Sequence, residues 1–158
     1  RALGELREQI DAAADAVREV AHGLSPRILS EQGLGPALEE LTAGLPVETD
    51  VSWEGRTGSG APSPSDEASE DLYLIASEAI TNAMKHSGCS RIEVDVARQD
   101  DVVQLTVRDD GAGGAAPTGR GILSMAARAR RLGGTFELVS PDGGPTTVTV
   151  RIPAGGPR

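Results

Sequence analysis

The chain has 158 residues and a formal net charge of -9, long enough for one domain with a sizeable core. That acidity opposes binding to a phosphate backbone, and one Trp, one Tyr and one Phe supply no stacking platform for bases, so nucleic acid is excluded as a direct partner. The single cysteine, Cys89, excludes an internal disulfide framework and a cysteine zinc cluster, and suits a reducing cytoplasm. No apolar run is long enough to span a bilayer, and a first residue other than Met predicts a piece of a longer protein.

The first expected element is a helix in which Leu3, Leu6, Ile10, Ala13, Val17, Val20 and Leu24 alternate spacings of three and four. That is the period of an interhelical seam, although a lone amphipathic helix packed on its own domain would use the same residues. Pro26 ends it. Gly35-Pro36 opens a short helix with Leu34, Leu38 and Leu41 on one side, and 47–53 reads as a strand. The Gly-, Ser- and Pro-rich stretch 55–64 reads as a surface loop.

A long helix follows, started by Ser63-Pro64-Ser65-Asp66 and expected to run to about His86, with Gly88 helping to stop it. Ile92, Val94 and Val96, then Val103, Leu105 and Val107, mark two strands by alternation. A glycine-rich stretch spans 111–121. Ile122, Met125, Ala126, Ala129 and Leu132 fit the inner face of another helix. Its last turns carry Arg128, Arg130 and Arg131, favourable to the helix dipole, and Gly133 caps it. Strands at 135–139 and 147–152 close the chain. Clean alternation implies a sheet with one buried and one solvated face, hence a two-layer α/β sandwich.

Three constellations carry chemistry. On the long helix, Glu78, Asn82, Lys85 and His86 fall within one arc of roughly 100°, beside the apolar arc of Ile75, Ala76, Ala79 and Ala83. This is either a pocket wall or a solvated flank. Next, Asp109-Asp110-Gly111-Ala112-Gly113 follows a strand. The glycines allow close backbone approach to a ligand, and a carboxylate at the strand end can accept from an amino group, though an acidic turn looks the same. Third, Thr118-Gly119-Arg120-Gly121 precedes a helix, whose free N–H groups attract phosphate. Neither a Walker A pattern nor G-x-G-x-x-G after a strand is present, which disfavours P-loop and Rossmann enzymes.

Taken in order, Glu78-x-x-x-Asn82-Ala83-x-Lys85-His86, Asp109-x-Gly111-x-Gly113 and Gly119-x-Gly121 resemble the N, G1 and G2 boxes of the GHKL (Bergerat-type) ATPases. Within them the chain resembles the sensor histidine kinases of the nitrate-sensor class. Ala21-His22-Gly23-Leu24-Ser25-Pro26, Gly33-Leu34 with Ala37-Leu38, Leu132-Gly133-Gly134 and the very short lid 114–118 extend the likeness over nearly the whole chain.

The resemblance implies a Bergerat fold, a mixed sheet covered on one face by helices, preceded by a helix from a dimerisation bundle. Residues 1–25 would be the remnant of that bundle and 26–158 the catalytic, ATP-binding domain. It implies ATP and Mg²⁺ as cofactors, with Asn82 holding Mg²⁺ and Asp109 accepting from the adenine amino group. Lys85, His86 and Arg120 would contact phosphates, Gly111, Gly113, Gly119 and Gly121 would shape the lid, and Thr146 or Thr147 would support the adenine side. Pro145 stands where the family often has Gly. Glu78 matches the acidic residue that assists phosphoryl transfer to histidine.

The implied protein is a cytoplasmic homodimer that phosphorylates its own histidine and serves a response regulator, with no direct membrane contact from this segment. The family's acceptor segment is absent, and His22, followed by Gly23, is a poor match to it. The same ATP site would also suit an anti-sigma-factor-type serine kinase, against which the heptad helix argues. It would suit a non-catalytic ATP-binding scaffold as well, against which Glu78 and Asn82 together argue.

Overall fold

The structure, a computed structural model, describes residues 3–10, 12–13, 27–53 and 66–155. Residues 3–10 form helix α1. Leu3 and Leu6 are exposed on it, whereas Ile10 and Ala13 pack against the core. The rest of the heptad seam (Val17, Val20, Leu24), with His22 and the loop 55–64, lies outside the described residues.

The chain continues through α2 (Arg27–Gln32), α3 (Leu34–Thr42), β1 (Glu48–Trp53) and α4 (Asp66–Asn82). Then come β2 (Arg91–Gln99), β3 (Val102–Asp109), α5 (Arg120–Arg131), β4 (Thr135–Val139) and β5 (Thr146–Pro153). Only α2 among these has no counterpart in the pattern reading. It has six residues and buries Leu29 alone, too little for a periodic signal.

The strands form one sheet in the order β1-β2-β3-β5-β4. β1 pairs parallel to β2 and the other pairs are antiparallel, so the sheet is mixed. A parallel pair needs a crossover, and α4 supplies it. Alternation puts Ile92, Val94, Val103, Leu105, Val107, Val148, Val150 and Ile152 on the buried face. The helices cover that face, as expected for a two-layer sandwich.

The core is aliphatic with two methionines. Tyr73 is its one fully buried aromatic among the described residues. Burial and the nearby Glu40 charge push the Tyr73 phenol up to about 12, so it stays protonated. The half-buried Trp53 ring lies against Gly35, where a β-carbon would collide with it. Its indole N–H donates to Glu39 Oε1 at 3.3 Å, tying α3 to β1. α4 runs through the middle of the core, with Leu72, Ile75, Ala76 and Ile80 fully buried. No described helix is long and apolar enough to cross a membrane.

Candidate functional site: a cavity between α4, α5 and the end of β3

A cavity of about 410 Å³ opens where the C-terminal end of α4 meets the glycine-rich segment after β3 and the start of α5. Asn82, Ala83, His86 and Ser87 line it from the first side, Asp109 and Thr146 from the sheet, and Gly113, Gly119, Arg120 and Gly121 from the third. Its volume lies in the range of small-molecule sites.

The first wall departs from the α-helix expected there. Residues Ala83–Ser87 form a π-turn, ended by Gly88 in the left-handed conformation at φ 63°. The wider turn shifts the rotational phase of every residue after Asn82. Of the stripe expected to form this wall, Asn82 and His86 line the cavity whereas Glu78 and Lys85 fall outside the lining, and Ser87 enters it. The Ser87 hydroxyl donates to the Ala83 carbonyl at 2.8 Å. Ala112 N–H donates to the Ser87 carbonyl at 2.9 Å. Gly111 packs so closely on Ser87 that a β-carbon would collide with it. Gly111 therefore holds the wall together from behind rather than lining the cavity. Ser87 was not anticipated from sequence, because a serine near a helix end carries no pattern.

Asp109 is the last residue of β3 and is 4% exposed. Its Oδ1 accepts from Gly111 N–H at 2.8 Å, which fixes the carboxylate at the cavity wall. The next residue does a different job. Asp110 Oδ1 accepts from Ser90 N–H at 2.8 Å and Arg91 N–H at 2.9 Å, and Oδ2 from the Ser90 hydroxyl at 2.6 Å. These bonds, the hydroxyl's first, hold the Asp110 carboxyl at about 2, below its ordinary value of 3.8. Asp110 thus stitches β2 to β3, while Asp109 faces the cavity.

Thr146 stands directly opposite Asp109 in the β3–β5 ladder, and Thr147 opposite Arg108. Opposed residues of an antiparallel pair share a face. Thr146 therefore lines the cavity with Asp109, and Thr147 belongs to the other face of the sheet. Register thus decides which of the two threonines faces the cavity.

Glu78 sits one helical turn before Asn82, outside the lining residues. Its carboxylate lies against Gly121, where a β-carbon would collide with it. The start of α5 can approach α4 this closely because residue 121 lacks a side chain. Further along the same helix pair, Asp71 on α4 has 1% of its side chain exposed. It accepts from Arg128 Nη1 at 3.0 Å and from Arg131 Nε at 3.1 Å. Asp71 also raises the Arg131 pKa, first through that hydrogen bond and then through its charge. Of the three arginines expected in the last turns of this helix, all are there, and Arg128 and Arg131 also pair with a buried carboxylate on the neighbouring helix.

Among the described residues no group of three or more His, Cys, Asp or Glu side chains could cage a metal ion. The half-buried amide of Asn82 at the cavity wall fits another arrangement, a hard cation carried by phosphates and needing few protein oxygens.

The family described as histidine kinase-, DNA gyrase B-, and HSP90-like ATPase matches residues 67–156, more than half of the chain. The nitrate/nitrite sensor protein NarX of Escherichia coli is 35% identical over 94% of this chain and 25% of its own length. The sensor histidine kinase MctS of Rhizobium johnstonii is 28% identical over 96% of this chain and 34% of its own. The chain thus spans about a quarter to a third of these relatives. Among solved structures, the ATP binding domain of PrrB from Mycobacterium tuberculosis aligns with a TM-score of 0.53 and 25% identity. It covers 79% of this chain and 92% of that one. The histidine kinase domain of the blue-light activated kinase from Erythrobacter litoralis EL346 aligns with a TM-score of 0.61 at 16% identity, over 90% of this chain and 65% of that one, a likeness of fold. The chain belongs to the histidine kinase-, DNA gyrase B-, and HSP90-like ATPases.

Proposed function

We propose that this chain is the catalytic domain of a two-component sensor histidine kinase and that Mg-ATP occupies the cavity between α4 and α5. The observation that carries the reading is the placement of Asn82 and Asp109 on different walls of one cavity, with the N-terminus of α5 between them. The buried Asp109 carboxylate would accept from the exocyclic amino group of adenine, beside the Thr146 hydroxyl. Asn82 would hold Mg²⁺ through its amide oxygen, and the ion would offset charge on the phosphates. The free N–H groups at the start of α5, with Arg120 and His86, suit the phosphate chain. Lys85 is proposed as a phosphate contact from the edge of the site.

Glu78, one turn before Asn82, would take or share the proton of an attacking imidazole. As one ring nitrogen bonds phosphorus, the proton on the other becomes acidic and passes to the carboxylate, while ADP leaves. The acceptor histidine would lie on a dimerisation helix of a homodimer, and the phosphoryl group would pass on to a response regulator in the cytoplasm.

Calorimetry with Mg-ATP tests the site. Wild-type chain should bind, and Asn82→Ala should lose the Mg²⁺ dependence of binding. Unchanged Mg²⁺ dependence removes Asn82 from the metal role. In a protein that includes the acceptor helix, the phosphorylated product separates the rivals. Acid-labile phosphate marks a histidine kinase, acid-stable phosphate a serine kinase, and neither marks a scaffold.

A further inference from the structure

The segment between β3 and α5 is docked onto the β4–β5 loop by a compact set of hydrogen bonds. Gly114 N–H donates to the Ser140 carbonyl at 3.2 Å, and Gly143 N–H donates to the Ala112 carbonyl at 2.7 Å. Gly113, at φ 65°, lies so close to the Pro141 carbonyl that a β-carbon would overlap it. A side chain there would meet both a positive φ and a wall of backbone.

One side chain joins this docking to the cavity. Ser140 Oγ accepts from Ala115 N–H at 2.9 Å and lies 2.8 Å from Thr146 Oγ1. Thr146 in turn faces Asp109 across the ladder. Ala115 and Thr146 both line the cavity, while Ser140 stands behind them. A hydrogen-bonded line thus runs from Thr146, on the sheet wall beside Asp109, through Ser140 to the backbone of the short lid. Such a line is cooperative, because an oxygen that donates its hydrogen becomes a better acceptor for the next group.

We infer that Ser140 is a positioning residue that couples occupancy of the base end of the cavity to the conformation of the lid at 113–118. This rests on the ATP-site reading, and it adds a residue that touches no part of the nucleotide. A base that accepts the Thr146 hydroxyl hydrogen fixes the direction of the Thr146–Ser140 hydrogen bond, with the Ser140 hydroxyl donating. That in turn strengthens Ser140 Oγ as the acceptor for Ala115 N–H. The lid is then held in place by the base before the phosphates reach it.

Hydrogen exchange on this chain tests the coupling, with adenosine as a probe that carries base and sugar but no phosphate. In the wild type, saturating adenosine should slow amide exchange across 113–118 severalfold. Ser140→Ala should remove that slowing and, without any ligand, speed exchange at Ala115 by about five- to tenfold, the scale of one net hydrogen bond. Ser140→Thr, which keeps the hydroxyl, should restore both. Amides of β2 and β3 serve as the internal control for folding. Equal adenosine protection in wild type and Ser140→Ala, or none in the wild type, overturns the coupling. If calorimetry shows that the wild type binds neither adenosine nor Mg-ATP, the ATP site itself fails. The ligand-free exchange at Ala115 then still decides whether Ser140 tethers the lid.

Discussion

Asp71 and Arg128 lie 57 positions apart in the chain and meet as a hydrogen-bonded ion pair with the carboxylate fully buried. They lock α4 against α5 at the end of the helix pair opposite to the contact of Glu78 with Gly121. Because the two helices carry two walls of the cavity, the same lock sets its width.

Asp71→Asn should therefore destabilise the fold. Complete burial of both partners would put the cost of breaking the pair at about 3–5 kcal/mol. Arg128 and Arg131 keep 28% and 59% of their side chains exposed and can rehydrate, so about 1–3 kcal/mol is expected. Urea unfolding measures it, and a midpoint equal to wild type would refute the lock. Arg131→Ala should cost less than Arg128→Ala, because it is the more exposed partner.

Asp109→Asn should weaken Mg-ATP binding by about 1.5–3 kcal/mol, the range for a hydrogen bond to a charged group. Burial of Asp109 makes the loss larger than for an exposed carboxylate, since water cannot substitute. The neighbouring Asp110→Asn should leave affinity nearly unchanged, as its carboxylate is taken up by Ser90 and Arg91. Calorimetry on both variants is decisive, and the reverse ranking would interchange the two roles.

Glu78→Gln, in a protein that carries the acceptor helix, should slow autophosphorylation by about 10²–10⁴-fold, the usual contribution of a general base. ATP affinity should hold, because size is kept and Glu78 lies outside the cavity lining. A normal rate, or a rate loss matched by weaker ATP binding, would remove Glu78 from the transfer step. Gly121→Ala gives a complementary check. Its methyl group would collide with the Glu78 carboxylate, so transfer should fall with it.

Asp110 predicts part of the acid limb of stability. Its folded pKa, about 2, lies below the ordinary value of 3.8, so the folded state binds its proton less readily than the unfolded state. The stabilisation is present above pH 3.8 and disappears as pH falls towards 2. In Asp110→Asn the decline of the urea midpoint between those values should be shallower than in the wild type. Parallel curves would show that the Ser90 and Arg91 bonds contribute nothing to acid stability.

Much of the fold was legible in the chain because it rests on local patterns. The strand 135–139 was bounded correctly by alternation and by Gly133-Gly134. The sheet's one-sided burial followed from Val103, Leu105 and Val107, and Gly88 stopped its helix as expected. Parts of all three motifs meet around one cavity (Asn82 and His86, Asp109 and Gly113, Gly119 to Gly121), since the end of α4, the end of β3 and the start of α5 lie at the same end of the layer. Tertiary structure decided the rest. The π-turn after Asn82 brought Ser87 onto the wall, a change of phase that no helical wheel contains. The choice between Thr146 and Thr147 needed the β3–β5 register, because adjacent strand residues face opposite ways and only pairing with Asp109 selects one. Arg128 and Arg131 sit in the last turn of α5 as the dipole favours, but their pairing with Asp71, distant in sequence, came only with packing. Burial and turns are written in neighbouring residues, whereas which buried charge meets which partner depends on chain segments that meet only once folding is complete.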